Sequence, residues 1–210
     1  MTKEKRAMVI LAVCAFTSSI YAAAQNLLAY IANDYPDVSY LTVVSLMSVP
    51  SMASLVIALL NGALAMRISK KFLMIVYTVA SFVSMLSFGL IGAHGPFSLL
   101  MGAAIVNGIG SGGRSPLQNT LVSVYIAPEK QASFIALSSA LANAGMAICN
   151  FVFGMVGSGN GGNNWPYAFY VGAAVTFVSL LAVCLLPGTD REKSGTVENK
   201  KERRGLNGWN

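Results

Sequence analysis

Charge is what this sequence has least of. Only 10% of its 210 residues are Asp, Glu, Lys or Arg, against roughly 25% in a soluble domain. Most of its surface is therefore not expected to face water. Acid is scarcer than base, with 8 Asp and Glu against 14 Lys and Arg, and no carboxylate falls inside a long apolar run. The sole histidine, His94, lies between runs. No carboxylate pair, catalytic triad or metal cluster can be assembled at membrane depth, so no enzyme and no cofactor is expected. The usual intramembrane proton carriers are missing from the runs as well. Cysteine is sparse too. Cys14, Cys149 and Cys184 all sit in apolar runs without metal-ligand spacing, and read as packing residues.

Long hydrophobic stretches fill the chain instead. Runs cover about residues 7–31, 40–65, 72–93, 97–126, 132–156 and 167–186. Each is long enough for the roughly 20 helical residues that cross a bilayer. In hydrocarbon the backbone must bond within its own segment, so the runs predict helices, and the short alternating segments of a β-barrel are not seen. Pro50 and Pro116 predict kinks rather than breaks. The expected fold is an all-α integral membrane protein, a six-transmembrane-helix bundle over residues 1–188 with a polar tail over 189–210.

The basic residues are distributed by side. Lys3, Lys5, Arg6, Arg67, Lys70, Lys71, Lys130 and the Lys and Arg of the tail occupy the N-terminus, the second loop, the fourth loop and the tail. The first, third and fifth loops have none. That alternation predicts both termini in the cytoplasm of a multi-pass cell-membrane protein. It also accounts for the net charge of +6 without a nucleic-acid partner. Lys3 to Arg6, an apolar run and Ala22-Ala23-Ala24 together resemble a secretory signal peptide. The run continues to Ile31, which favours a retained helix.

Arg114 is the most informative side chain. At mid-bilayer an Arg costs about 2.5–3.5 kcal/mol on insertion scales, so it normally faces protein or a water-filled cavity. The alternative is that the fourth span ends near Gly113 and Arg114 snorkels to the interface. Helical spacing favours a cavity. Asn107, Ser111, Arg114 and Gln118 share one face. So do Ser18, Tyr21 and Gln25 on the first run, and Ser139, Asn143 and Asn150 on the fifth. Interhelical hydrogen bonding explains any one of these residues. Three stripes and an arginine point to a shared cavity, with Arg114, Asn107, Gln118, Tyr21, Gln25 and Asn143 as candidate solute-binding residues. Gly108, Gly110, Gly112 and Gly113 predict close helix approach.

The second loop carries a motif. Gly62, Leu64, Ala65, Arg67, Lys70 and Lys71 resemble the signature of the major facilitator superfamily, glycine-x-leucine-alanine-aspartate-arginine-x-glycine-arginine-lysine. Met66 replaces the aspartate and Ser69 the second glycine. Gly108-Ile109-Gly110-Ser111-Gly112 with Pro116 resembles the family's glycine-rich fourth helix, although Ala104 stands where its arginine is usual. Pro128-Glu129-Lys130-Gln131 and Trp165-Pro166-Tyr167-Ala168-Phe169 resemble the loop before its fifth helix and the opening of its sixth. The resemblance implies one six-helix half of a transporter. Such a half works by alternating access, as a homodimer or with a second half, with Gly62, Arg67, Lys70 and Lys71 as its conformational motif; Arg114, the only charge expected to be buried, points to a small polar or anionic solute. The missing aspartate keeps a non-transporting truncated protein or scaffold as the alternative.

Overall fold

A computed structural model describes residues 2–162 and 164–187; the polar tail expected over 189–210 lies outside the described residues. These form seven α-helices and two 3-10 segments. They are α1 (Lys3–Phe16), a 3-10 run (Ile20–Leu27), α2 (Leu28–Asp34), α3 (Tyr40–Arg67), α4 (Lys70–Ile91), α5 (Phe97–Tyr125), α6 (Pro128–Gly157), a 3-10 turn (Gly159–Gly162) and α7 (Trp165–Cys184).

Local chemistry sets the ends. Ser39 caps α3 by accepting from the Thr42 N–H at 3.3 Å. Gly92, at φ 53°, stops α4 in a conformation that suits glycine. Pro128 opens α6, where its missing N–H has no partner to lose. Both α3 and α5 run unbroken through their prolines, Pro50 and Pro116.

Among the described residues, five stretches are long and apolar enough to cross a membrane: Lys3–Asp34, Tyr40–Arg67, Lys70–Ile91, Pro128–Gly157 and Trp165–Cys184. The remaining long helix, α5, has 29 residues but a polar, glycine-rich sequence. Its position explains this. It lies between α3 and α4 and also meets α1 and α6, so much of its surface touches protein rather than lipid. By contrast, only 17% of the most apolar window of α3 and 22% of that of α6 is buried.

The first span differs from expectation. Instead of one α-helix over 7–31, it is interrupted at residues 17–19 and continues as eight residues of 3-10 helix. The Thr17 hydroxyl donates to the Cys14 carbonyl at 3.2 Å and the Ser18 hydroxyl to that of Ala15 at 2.7 Å. Carbonyls at the end of α1 thereby keep donors in the low-dielectric interior. On α6, Gly145 faces the Phe16 carbonyl so closely that any Cβ there would collide with it.

The interior has two apolar centres. One contains Ile20, Leu27, Leu46, Phe88, Phe153, Trp165 and Phe169, with the Phe88 and Phe169 rings stacked at 4.6 Å. The other contains Leu11, Met74, Tyr77, Leu117, Leu121 and Phe134. Thr17, Ser81, Asn107, Arg114, Thr176 and Ser179 belong to neither and are all buried. Beyond the first centre, Trp165 Nε1 donates to the Asp34 carboxylate, and the Tyr35 hydroxyl lies 2.8 Å from the Gly92 and Gly95 carbonyls. Burial, reinforced by neighbouring Asp34, raises the Tyr35 phenol above its ordinary pKa. Trp165→Phe keeps an aromatic ring but loses a hydrogen bond to a charged acceptor, worth about 1.5–3 kcal/mol, and leaves the fully buried site underfilled. A lower melting temperature in detergent is expected. Glu4→Gln, which removes an exposed 3.3 Å pair with Lys130, is expected to leave it unchanged.

Candidate functional site: a polar cavity at the break in the first span

A cavity of about 340 Å³ opens beside the interruption, lined by Thr17 to Ala22 and Gln25 of the first span, Met47, Pro50, Ser51 and Ser54 of α3, Ser81 and Met85 of α4, Asn107, Ser111 and Arg114 of α5, Met146 of α6 and Thr176 of α7. Every long helix contributes. Polar groups at this depth are affordable because the broken helix and α5 present them to each other rather than to lipid.

Arg114 organises the site. It is 3% exposed, and α5 continues past it to Tyr125, so it does not snorkel to an interface. Its Nη2, which carries two hydrogens, has three acceptors in reach: the Cys14 carbonyl at 3.0 Å, the Thr17 hydroxyl and the Ser179 hydroxyl at 2.7 Å. One guanidinium thus ties α5 to the end of α1 and to α7. Its Nε is buried without a hydrogen-bond partner. No described carboxylate pairs with it.

Of the six residues expected from the sequence, four meet here: Arg114, Asn107, Tyr21 and Gln25. Asn107 is 3% exposed and makes no hydrogen bond among the described residues. The Tyr21 hydroxyl is engaged, donating to the Leu46 carbonyl at 2.8 Å. Gln118 and Asn143 are not among the lining residues. Gln118 Nε2 instead bonds the Leu11 carbonyl at 3.4 Å, and Asn143 is exposed on α6. Sequence reasoning missed Thr17, Ser51, Ser54, Ser81 and Thr176. Ser51 and Ser54 on α3, and Thr176 and Ser179 on α7, are three residues apart, a spacing that places each pair on one helix face. Among the described residues, no three His, Cys, Asp or Glu side chains converge as a metal would require.

The motif residues lie at the α3–α4 connection. Gly62 and Arg67 are exposed, and so is Met66, at 83%. Lys71 Nζ donates to the Leu186 carbonyl at 2.6 Å, just past the end of α7, where a cation also suits the helix dipole. Above the loop, the Tyr77 hydroxyl donates to Asn61 Oδ1 at 3.1 Å and Asn61 Nδ2 to the Gly113 carbonyl at 3.4 Å, joining α4, α3 and α5.

The model of the Major Facilitator Superfamily matches residues 7–210. The chain belongs to the major facilitator superfamily. No curated protein matches it. Among solved structures it is similar to a D-xylose-proton symporter, with a TM-score of 0.69 and 14% identity over 97% of this chain and 52% of that one. It is also similar to the D323A mutant of the nucleoside transporter NupG, with a TM-score of 0.74 and 19% identity over 88% of this chain and 49% of that one. The chain therefore spans about half the length of these structures. Members of the superfamily are transporters, and this one is a multi-pass membrane protein.

Proposed function

We propose that this superfamily member moves a small polar or anionic solute by alternating access, as a homodimer or against a second six-helix body. The observation that carries the reading is the buried polar cavity around Arg114. Two of its lining residues, Gln25 and Ser51, are exposed, so the cavity reaches the molecular surface, where an opposing body closes it. Both α3 and α6 line the cavity, and both carry exposed apolar residues, among them Leu55, Leu59, Ile148 and Phe151.

Purified protein in vesicles should take up at least one of a labelled pentose, a nucleoside and a small carboxylic acid faster than protein-free vesicles. Failure on all three ends the reading. A strict monomer by mass in detergent removes the homodimer arm.

The membrane is the cell membrane and both ends face the cytoplasm. Lys3, Lys5, Arg6, Arg67, Lys70, Lys71 and Lys130 support this, because all lie at one set of helix ends. In a cysteine-free background, His94→Cys should react with an impermeant thiol reagent on whole cells and Lys130→Cys should not. The opposite pattern inverts the topology.

A further inference from the structure

We infer that the solute is held through an anionic group, a carboxylate or a phosphate, seated between Arg114 and Asn107 at the break in the first span. This rests on the cavity being the solute site.

Charge balance comes first. An arginine stays protonated in proteins, and Arg114 is almost wholly buried. Its recorded partners, a carbonyl and two hydroxyls, are neutral. They satisfy hydrogens but do not cancel a charge, and a buried charge without a counter-charge is costly. Glu4, Asp34, Asp37 and Glu129, the described carboxylates, all lie at helix ends or in loops, and none lines the cavity. No described residue supplies the counter-charge, and a bound anion would.

Hydrogen bonding points the same way. Native interiors rarely leave buried polar groups unpaired, yet Nε of Arg114, a residue that lines this cavity, has no partner. The Asn107 amide, in the same cavity wall, makes no hydrogen bond among the described residues. The two residues are seven apart on one helix, two turns along the same face. The 3-10 run adds a third element. It starts at Ile20, in the cavity wall, and the first N–H groups of any helix lack acceptors within it. All three elements can donate to an acceptor-rich ligand. A neutral sugar or nucleoside would fill some of these bonds but leave the charge unopposed. A cation would meet Arg114 with no carboxylate in reach. At about 340 Å³ the cavity is at the small end of the roughly 300–1,000 Å³ common for small-molecule sites, which suits a short organic acid or a phosphate ester.

The test measures binding rather than transport. Protein in nanodiscs of zwitterionic phosphatidylcholine, free of anionic headgroups, is melted with acetate, lactate, succinate, inorganic phosphate or neutral glycerol at matched ionic strength. At least one anion should raise the melting temperature, since a ligand of the folded state stabilises it by mass action. Glycerol should not. Asn107→Ala should keep the ligand-free melting temperature, as it has no hydrogen bond to lose, and should weaken anion binding tenfold or more. Arg114→Gln should abolish it. An equal shift with glycerol, an anion shift that survives both substitutions, or no shift with any of the four anions overturns the inference. Uptake of a neutral solute in the vesicle experiment alongside no anion shift overturns the anionic class and leaves transport standing.

Discussion

Arg114→Met in reconstituted vesicles is expected to abolish uptake, while the purified variant melts close to wild type. The two halves of this result have different causes. Uptake fails because methionine carries neither the charge nor the donors that Arg114 brings to the cavity. Stability holds because two large effects oppose each other. Hydrogen bonds to charged groups contribute about 1.5–3 kcal/mol each, and the substitution removes the two that the Nη2 hydrogens make among Cys14, Thr17 and Ser179. The Cys14 carbonyl still keeps the Thr17 hydroxyl as a donor. Against that loss, an unpaired buried charge disappears, whose penalty is several kcal/mol. The net change should stay within about 2 kcal/mol, as expected where a site has been kept for activity at the expense of stability. Uptake assays and thermal melts on the same preparation check both halves. A variant that unfolds shows that Arg114 mainly holds the broken span together. One that transports normally removes the guanidinium from the mechanism.

The contrast between Arg114 and Asn143 shows what was legible in the sequence. Apolar runs announce helices because the bilayer imposes both length and backbone pairing, and α3 to α7 lie where the runs lie. Spacing of 3 and 4 residues also fixes which side chains share a face. It does not say which face turns inward. Asn107, Ser111 and Arg114 line the cavity because α5 is surrounded by other helices. Asn143, on an equally regular stripe, is exposed because α6 is covered on little of its surface. Gln118 belongs to the stripe of Arg114 but lies a turn further on, and its amide is used by Leu11. The break at residues 17–19 was hidden for a different reason. Thr17 and Ser18 are tolerated inside membrane helices, and their hydroxyls back-bond in unbroken helices too. What makes this site a break is tertiary: the Arg114 donor from α5 and the bare Cα of Gly145 on α6. Neither can be read from the local sequence of the first span.

The glycines of α5 lead to the second large effect. Gly108→Ala and Gly112→Ala are each expected to destabilise the fold, whereas Gly102→Ala on the same helix should stabilise it. The four clustered glycines serve two neighbours. A Cβ at Gly108 would meet the Pro50 backbone and one at Gly112 the Ser54 backbone, both on α3; at Gly110 and Gly113 it would meet Ser81 and Tyr77 of α4. The clash at Gly113 is with the far end of the Tyr77 side chain, which shifts more readily than backbone. Backbone at Gly108 and Gly112 cannot yield in that way, so α3 and α5 must separate. Overpacking costs typically 1–3 kcal/mol, with rigid backbone at the upper end, and the roughly 1 kcal/mol that alanine gains over glycine in a helix recovers only part. Gly102 has nothing within 4 Å of a Cβ, so there the gain stands alone. Thermal melts of the three single variants should therefore straddle wild type. Function should suffer beyond stability. Pro50, Ser51 and Ser54 form the α3 wall of the cavity opposite Asn107, Ser111 and Arg114, and any separation pulls that wall away from the charge. Gly108→Ala and Gly112→Ala should thus lose uptake even at temperatures where they remain folded. Normal uptake in a folded Gly112→Ala protein would show that the contact of α3 with α5 does not set the geometry of the site.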